Sequence, residues 1–224
     1  EEGRYILGPE VSELEASLRD FGQAPHALAC ANGTDALALP LMAWKLRTGD
    51  AVFVPSFTFA STAEVVPWLG ADCVFVDVDP ETYNMDPDKL EAAVEQVKAE
   101  GRLNPVAVIA VDLFGQPADY PRISEITKAH GLKLIADSAQ GFGCTLNEKH
   151  PIHWADVTTI SFYPAKPLGC YGDGGAILTR DADLHAHLKS LHVHGEGTER
   201  YEYARIGMNS RLDTIQAAVL LAKL

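Results

Sequence analysis

The sequence predicts an α/β domain of three layers (αβα), with helices on both faces of a mostly parallel sheet. Short apolar segments rich in β-branched residues alternate with amphipathic stretches along the chain, the pattern of successive strand–helix units. Those apolar segments are continuous rather than alternating, as strands buried on both faces must be. The 224 residues, 47% hydrophobic and 22% charged, can close one sizeable core, and no repeat, low-complexity tract or linker divides them.

The expected elements follow in order. A first helix spans residues 11 to 22, with Ser12 as its cap and Glu15 three positions on, a capping-box spacing. A second begins near Gly33 and runs to Arg47, ahead of Thr48-Gly49-Asp50. Strands are expected over residues 51–55, 73–78, 106–112, 132–137 and 157–162, with helices over 61–69, 87–100 and 120–130. After Gly174-Gly175 come a strand at 176–180 and a helix at 182–192. Residues 213–224 are helical in pattern with no C-cap Gly or Asn behind them. That ending, and a start at Glu1 with no initiator Met, are expected of a piece of a longer chain.

Composition excludes several function classes. Eighteen basic against 31 acidic residues leave a net charge of −13, which repels phosphate backbones and argues against sequence-independent nucleic-acid binding. An anionic small molecule is still compatible, because a few aligned amides or one arginine can hold a phosphate locally. Cys30, Cys73, Cys144 and Cys170 stand singly, which fits free thiols in a reducing compartment better than a disulfide framework. No basic stretch followed by an apolar one opens the chain, and no apolar run approaches the roughly 18 residues of a membrane span. The expectation is a cytoplasmic domain with neither membrane nor nucleic acid as partner.

Ligands in parallel α/β sheets sit at the carboxyl ends of the strands, so the residues there are the candidates. Asp137 closes LKLIAD, with Gln140 three residues on. A carboxylate at a buried strand end needs a cation or hydrogen-bond donors; a protonated ring nitrogen of a cofactor is one such partner, and capping of the next helix is the alternative. Lys166 follows VTTISF, five residues after Ser161, bracketed by Pro164 and Pro167 and followed by a glycine-rich loop. A lysine desolvated there gains Schiff-base reactivity, whereas a lone loop lysine is ordinarily a surface charge. Gly33-Thr34-Asp35 opens a helix whose amides can bind phosphate or simply be capped. Phe59 offers a flat face at the same sheet edge, or a core ring. Gly141-Phe142-Gly143 lacks the third glycine of a dinucleotide fingerprint, and neither a P-loop nor a G-x-S-x-G elbow is present. His185, His187, His192 and His194 have no ligand spacing, so a surface or partner-contact role is expected and no metal.

The strings ANGTDAL, PSFTFAST, FVDVDPETYNMD, DLFGQP, ADSAQGFG, SFYPAKPLGCYGDGGA and MNSRLDTIQAA, in this order, resemble the DegT/DnrJ/EryC1/StrS family of pyridoxal-phosphate-dependent sugar aminotransferases. The resemblance runs from Tyr5 to the final helix. It implies the large domain of the aspartate-aminotransferase fold (fold type I), with a small C-terminal domain beyond the given chain. It also implies a role for each candidate. Lys166 links covalently to pyridoxal 5′-phosphate (PLP), and Asp137 pairs with the pyridine nitrogen so that the ring acts as an electron sink. Gln140 bonds the phenolic oxygen or lies beside it, and Phe59 stacks on the ring. Gly33, Thr34, Asp35 and Ser161 hold the phosphate, and Asn209, beside Arg211, reaches the cofactor of a partner subunit. A homodimer with shared active sites follows, with glutamate as amino donor and a nucleotide-linked ketosugar as acceptor. FVPSFTFASTAEVVPWLGA and AKPLGCYGDGGAI are most similar to the branch acting on UDP-2-acetamido-2-deoxy-3-oxo-glucuronate in bacterial O-antigen assembly. Arg4, His194, Arg205 and Arg211 are basic residues available to the diphosphate or a sugar carboxylate. Two other readings stand beside this one: a dehydratase-type relative, in which the family has His rather than Lys at position 166, and a non-catalytic PLP-binding regulatory module.

Overall fold

The computed structural model describes residues 3–199 and 201–224. Its elements are α1 (Pro9–Gly22), β1 (His26–Cys30), α2 (Gly33–Ala43), β2 (Asp50–Pro55), α3 (Ser61–Trp68), β3 (Asp72–Val76), α4 (Pro87–Glu100), β4 (Asn104–Val111), α5 (Tyr120–His130), β5 (Lys133–Asp137), β6 (Val157–Ser161), β7 (Gly175–Thr179), α6 (Ala182–Leu191) and α7 (Thr214–Leu221). The strands form one sheet in the order β1-β7-β6-β5-β4-β2-β3. Pairing is parallel from β6 through β3, and β7 runs antiparallel to both β1 and β6. The sheet is thus mostly parallel, as expected, with one reversed strand that sequence pattern did not reveal.

Side chains alternate across the sheet and build its two covering layers. Val52, Val54, Ala107, Ile109, Ile135 and Val157 pack with Leu37, Leu41, Val65 and Leu188, the inner faces of α2, α3 and α6. Their neighbours Ala51, Phe53, Val108, Ala110 and Leu134 face the other way, onto Leu90 and Val94 of α4 and Ile123 of α5. On that same face, Ala27, Ala29, Ile160 and Leu178 meet Leu14 and Leu18 of α1 and Ala217 and Leu220 of α7. Burial of such strands on both sides supplies the main stabilising term, roughly 25 cal/mol per Å² of apolar surface removed from water.

Four local expectations need correction. Strand β1 was not foreseen: HALAC has no β-branched residue, and its strand geometry comes from pairing His26–Cys30 with Thr179–Gly175. Helix α1 starts at Pro9, whose fixed φ suits the first helical position, with Gly8 as its uncapped N-terminal neighbour. Ser12 is therefore inside the helix, and Glu15 spends its carboxylate on the Ala29 amide of β1 at 2.9 Å. Helix α2 ends at Ala43 rather than Arg47, because Lys45 takes a left-handed φ of 60°. Its amide then bonds the Met42 carbonyl and that of Leu46 the Leu41 carbonyl, a Schellman closure. Finally, His192 is no surface residue: it is buried, with Nδ1 2.7 Å from the Lys189 carbonyl.

Candidate active site

β1, β2, β4, β5 and β6 share one direction, so their carboxyl ends open at a single edge. The reversed strand β7 begins at that edge, pairing Gly175 with both Cys30 and Ser161. A cavity of about 570 Å³ lies there, lined by Gly33, Thr34, Phe59, Asp137, Gln140, Ser161 and Lys166 together with Asn32, Thr58, Ser61, Thr62, Tyr163 and Asp173. Seven of the nine candidate residues named from sequence thus meet at one cavity, drawn from four separate chain segments.

Asp137 is the last residue of β5 and is 5% exposed. Its Oδ2 accepts from Thr62 Oγ1 at 3.0 Å and its Oδ1 from the Ala139 amide at 3.2 Å. Thr62 Oγ1 in turn lies 2.9 Å from Thr58 Oγ1. Burial raises the Asp137 proton affinity, while the Ala139 amide, the Thr62 hydroxyl and the charge of Lys166 oppose it. A buried carboxylate held by neutral donors at the wall of a cavity is electrostatically suited to a cationic ligand group.

The opposite wall is the N-terminus of α2. First-turn amides have no partner within a helix; here Asn32 Oδ1 caps the Asp35 amide at 2.8 Å, which leaves those of Gly33 and Thr34 on the cavity. Thr34 Oγ1 and Ser61 Oγ are 2.8 Å apart, and Ser161 Oγ accepts from the Tyr163 amide at 3.3 Å. Amides, hydroxyls and the positive end of a helix are groups able to hold an anion. The close packing beneath it explains Gly175: a Cβ there would lie 2.5 Å from the Asn32 carbonyl carbon and oxygen.

Lys166 stands in the irregular segment between β6 and β7, half-buried, with its amide bonded to the Tyr163 carbonyl at 2.8 Å. Phe59 is 68% exposed on the rim, so it is available as a platform rather than committed to the core. Gln140 uses Oε1 to accept from the Phe114 amide at 2.9 Å, and its amide nitrogen remains for a ligand.

Two candidates lie apart from the cavity. The Asp35 amide donates to Asn32 Oδ1, and Asp35 is not part of the lining. Asn209 is exposed, with Oδ1 accepting from Arg211 Nε at 2.9 Å. Arg4, His194, Arg205 and Arg211 are likewise absent from the lining. A larger cavity of about 950 Å³ between α1 and α6 includes Arg205 but none of the nine candidate site residues. Sequence reading missed Thr58, Ser61 and Thr62. The signal was present in PSFTFAST, whose hydroxyls at 58, 61 and 62 have the i, i+3, i+4 spacing of one helix face. Among the described residues no cluster of three His, Cys, Asp or Glu could hold a metal ion, and no helix is long and apolar enough to cross a membrane.

The DegT/DnrJ/EryC1/StrS aminotransferase family model matches residues 1–224. UDP-2-acetamido-2-deoxy-3-oxo-D-glucuronate aminotransferase of Pseudomonas aeruginosa is 49% identical over 222 residues, covering 99% of this chain and 60% of that protein. A crystal structure of a family aminotransferase from Brucella abortus is 57% identical with a TM-score of 0.98, over 99% of this chain and 60% of its own. The crystal structure of ntda from Bacillus subtilis with bound cofactor PMP is 31% identical with a TM-score of 0.86, over 98% of this chain and 48% of its own. The chain thus spans about 60% of the length of its curated relative. On these grounds the chain belongs to the DegT/DnrJ/EryC1/StrS aminotransferase family.

Proposed function

We propose that this chain is the cofactor-binding large domain of a PLP-dependent transaminase, completed by a smaller C-terminal domain. It moves an amino group from glutamate to the keto group of a nucleotide-linked sugar. The observation that carries this reading is the joining of Lys166, Asp137 and the α2 N-terminus at one cavity. The donor set fits PLP at each end: a buried anion for the ring nitrogen, and amides with hydroxyls for the phosphate. The 570 Å³ volume is also within the range of small-molecule sites.

PLP supplies, when bound, an electron sink for the charge that develops on the substrate carbon. The rest belongs to this chain. Asp137 keeps a proton on the ring nitrogen by accepting its hydrogen bond, and Thr62 holds that carboxylate in register. Gly33, Thr34 and Ser161 bind the phosphate, and Phe59 covers a ring face and excludes water. The Gln140 amide nitrogen donates toward the ring's phenolic oxygen. Lys166 would supply the amine that holds the cofactor, and its free amine would move the proton at the substrate carbon as a general base. Its presence at position 166 favours transamination over dehydration. To Asn209, which is exposed and outside its own subunit's cavity, we assign the phosphate site of a partner in a homodimer, as the family resemblance implies.

The acceptor we infer is UDP-2-acetamido-2-deoxy-3-oxo-glucuronate, supported by the name of the 49% identical relative and placing the enzyme in cytoplasmic polysaccharide and O-antigen assembly. The test is incubation of the complete protein with glutamate and a panel of UDP-, dTDP- and GDP-linked ketosugars, reading 2-oxoglutarate release. Fastest turnover with the 3-oxo-glucuronate is expected. Turnover of another ketosugar alone would reassign the substrate; PLP binding with no amine exchange from glutamate would point to the regulatory-module reading.

A further inference from the structure

Asp112, the first residue of DLFGQP, follows β4 and is a fully buried carboxylate that the chemistry above does not use. Its Oδ1 accepts from Tyr120 Oη at 2.6 Å and from the Ala118 amide at 3.3 Å. Its Oδ2 accepts from the hydroxyl of Ser138 and lies 3.6 Å from Cys144 Sγ. Every one of these donors is neutral. Burial pushes the carboxyl up to about 6, against the pull of the Ser138 and Tyr120 hydrogen bonds.

Ser138 sits between Asp137 and the turn that carries Gln140, so the network reaches the cavity wall from behind. Three bonds stitch the segment 112–114 to the segment 137–140. The Asp112 amide donates to the Asp137 carbonyl at 3.0 Å. Ser138 donates its hydroxyl to Asp112, and the Phe114 amide donates to Gln140 Oε1 at 2.9 Å. The fit is close: a Cβ on Gly141 would lie 2.4 Å from that of Asp112. Phe114 holds a left-handed φ of 56°, a conformation non-glycine residues adopt only when their surroundings fix it.

We propose that Asp112 is a positioning residue for the cofactor site: through Ser138 its carboxylate fixes the turn that sets the Asp137 carboxylate and the Gln140 amide. The inference rests on the PLP reading of the cavity. It makes the two oxygens of Asp112 unequal. Oδ2, bonded to Ser138, serves the site, while Oδ1, bonded to Tyr120 at the start of α5, serves the fold.

That inequality is testable with the complete protein and the variants Ser138→Ala, Ser138→Thr, Tyr120→Phe and Asp112→Asn. PLP affinity is read by titrating the visible band, together with the pH midpoint of that band and the melting temperature without cofactor. Ser138→Ala and Asp112→Asn are expected to weaken PLP binding about tenfold, the scale on which an outer hydrogen-bond partner tunes a site, and to move the pH midpoint. Ser138→Thr, which keeps the hydroxyl, restores both. Tyr120→Phe lowers the melting temperature yet leaves affinity and midpoint near the wild type. If Asp112→Asn does not fold, Ser138→Ala decides. Wild-type affinity in Ser138→Ala, or losses in all variants that track melting temperature alone, would overturn the proposal while leaving the cofactor reading intact. A wild-type protein that binds no PLP would overturn the cofactor reading itself.

Discussion

Thr62→Val removes one hydroxyl from the cavity wall and leaves the side-chain shape nearly unchanged. In the native site that hydroxyl donates to Asp137 Oδ2 at 3.0 Å, and it is one of two hydrogen bonds that offset the cost of burying the carboxylate. A hydrogen bond to a charged acceptor contributes about 1.5–3 kcal/mol. If most of that support is lost where Asp137 must stay ionised beside a protonated ring nitrogen, the half-reaction with glutamate slows roughly 10- to 100-fold. The sign of the pH effect follows from the same bond. Thr62 lowers the Asp137 proton affinity, so its loss raises that affinity and moves the acid limb of the rate profile to higher pH. Stopped-flow absorbance of the glutamate half-reaction across pH reads both quantities, with the melting temperature as a folding control. A Thr62→Val enzyme with the wild-type rate and an unmoved acid limb would show that this hydroxyl does not support the Asp137 carboxylate.

Three further substitutions probe other parts of the account. Gly175→Ala places a Cβ against the Asn32 backbone and should cost about 1–3 kcal/mol of stability as overpacking, together with PLP affinity, measured by urea unfolding and cofactor titration. Asn32→Ala removes the α2 cap and should cost about 1 kcal/mol, whereas Ser12→Ala, inside α1 with no capping bond, should cost far less; equal costs in urea unfolding would contradict the cap assignment. Asp112, raised from 3.8 to about 6 in the folded protein, contributes stability that is full below pH about 4 and lost as pH rises through about 6, some 3 kcal/mol in all. The stability gap between wild type and Asp112→Asn should therefore shrink over that window, a comparison that subtracts the parallel titration of buried Asp137.

What could be read in the sequence depended on how far each interaction reaches. Helices α4 and α5 match expectation at both ends because their signals are local: Asp86 and Asp119 accept from first-turn amides, and Gly101 and Gly131 close the helices with left-handed φ. Strand β1 was invisible because HALAC acquires strand structure only by pairing with β7, about 150 residues away. The Ser12/Glu15 spacing matched a capping box by coincidence; tertiary structure gave Glu15 to the Ala29 amide instead. The reversal of β7 depends on the path of the chain between Phe162 and Gly174, which no local pattern encodes.

The site divides in the same way. Asp137, Ser161 and Lys166 were legible because each ends or follows a strand, where parallel sheets bind ligands. For Thr62 the hydroxyl spacing of PSFTFAST was only a hint, since its role arises when α3 and β5 bring residues 75 positions apart into hydrogen-bond contact. Asp35 shows the converse: its local pattern suited phosphate binding as well as capping, and its amide donates to the Asn32 side chain.

The central claim is that this cavity holds PLP on Lys166. Borohydride reduction of the PLP-loaded complete protein, followed by peptide mass analysis, tests it most directly. A pyridoxyl group is expected on the peptide containing Lys166 and none in Lys166→Ala, which also lacks the visible band. A label on another lysine, or an unlabelled protein that still transfers amine from glutamate, would contradict it.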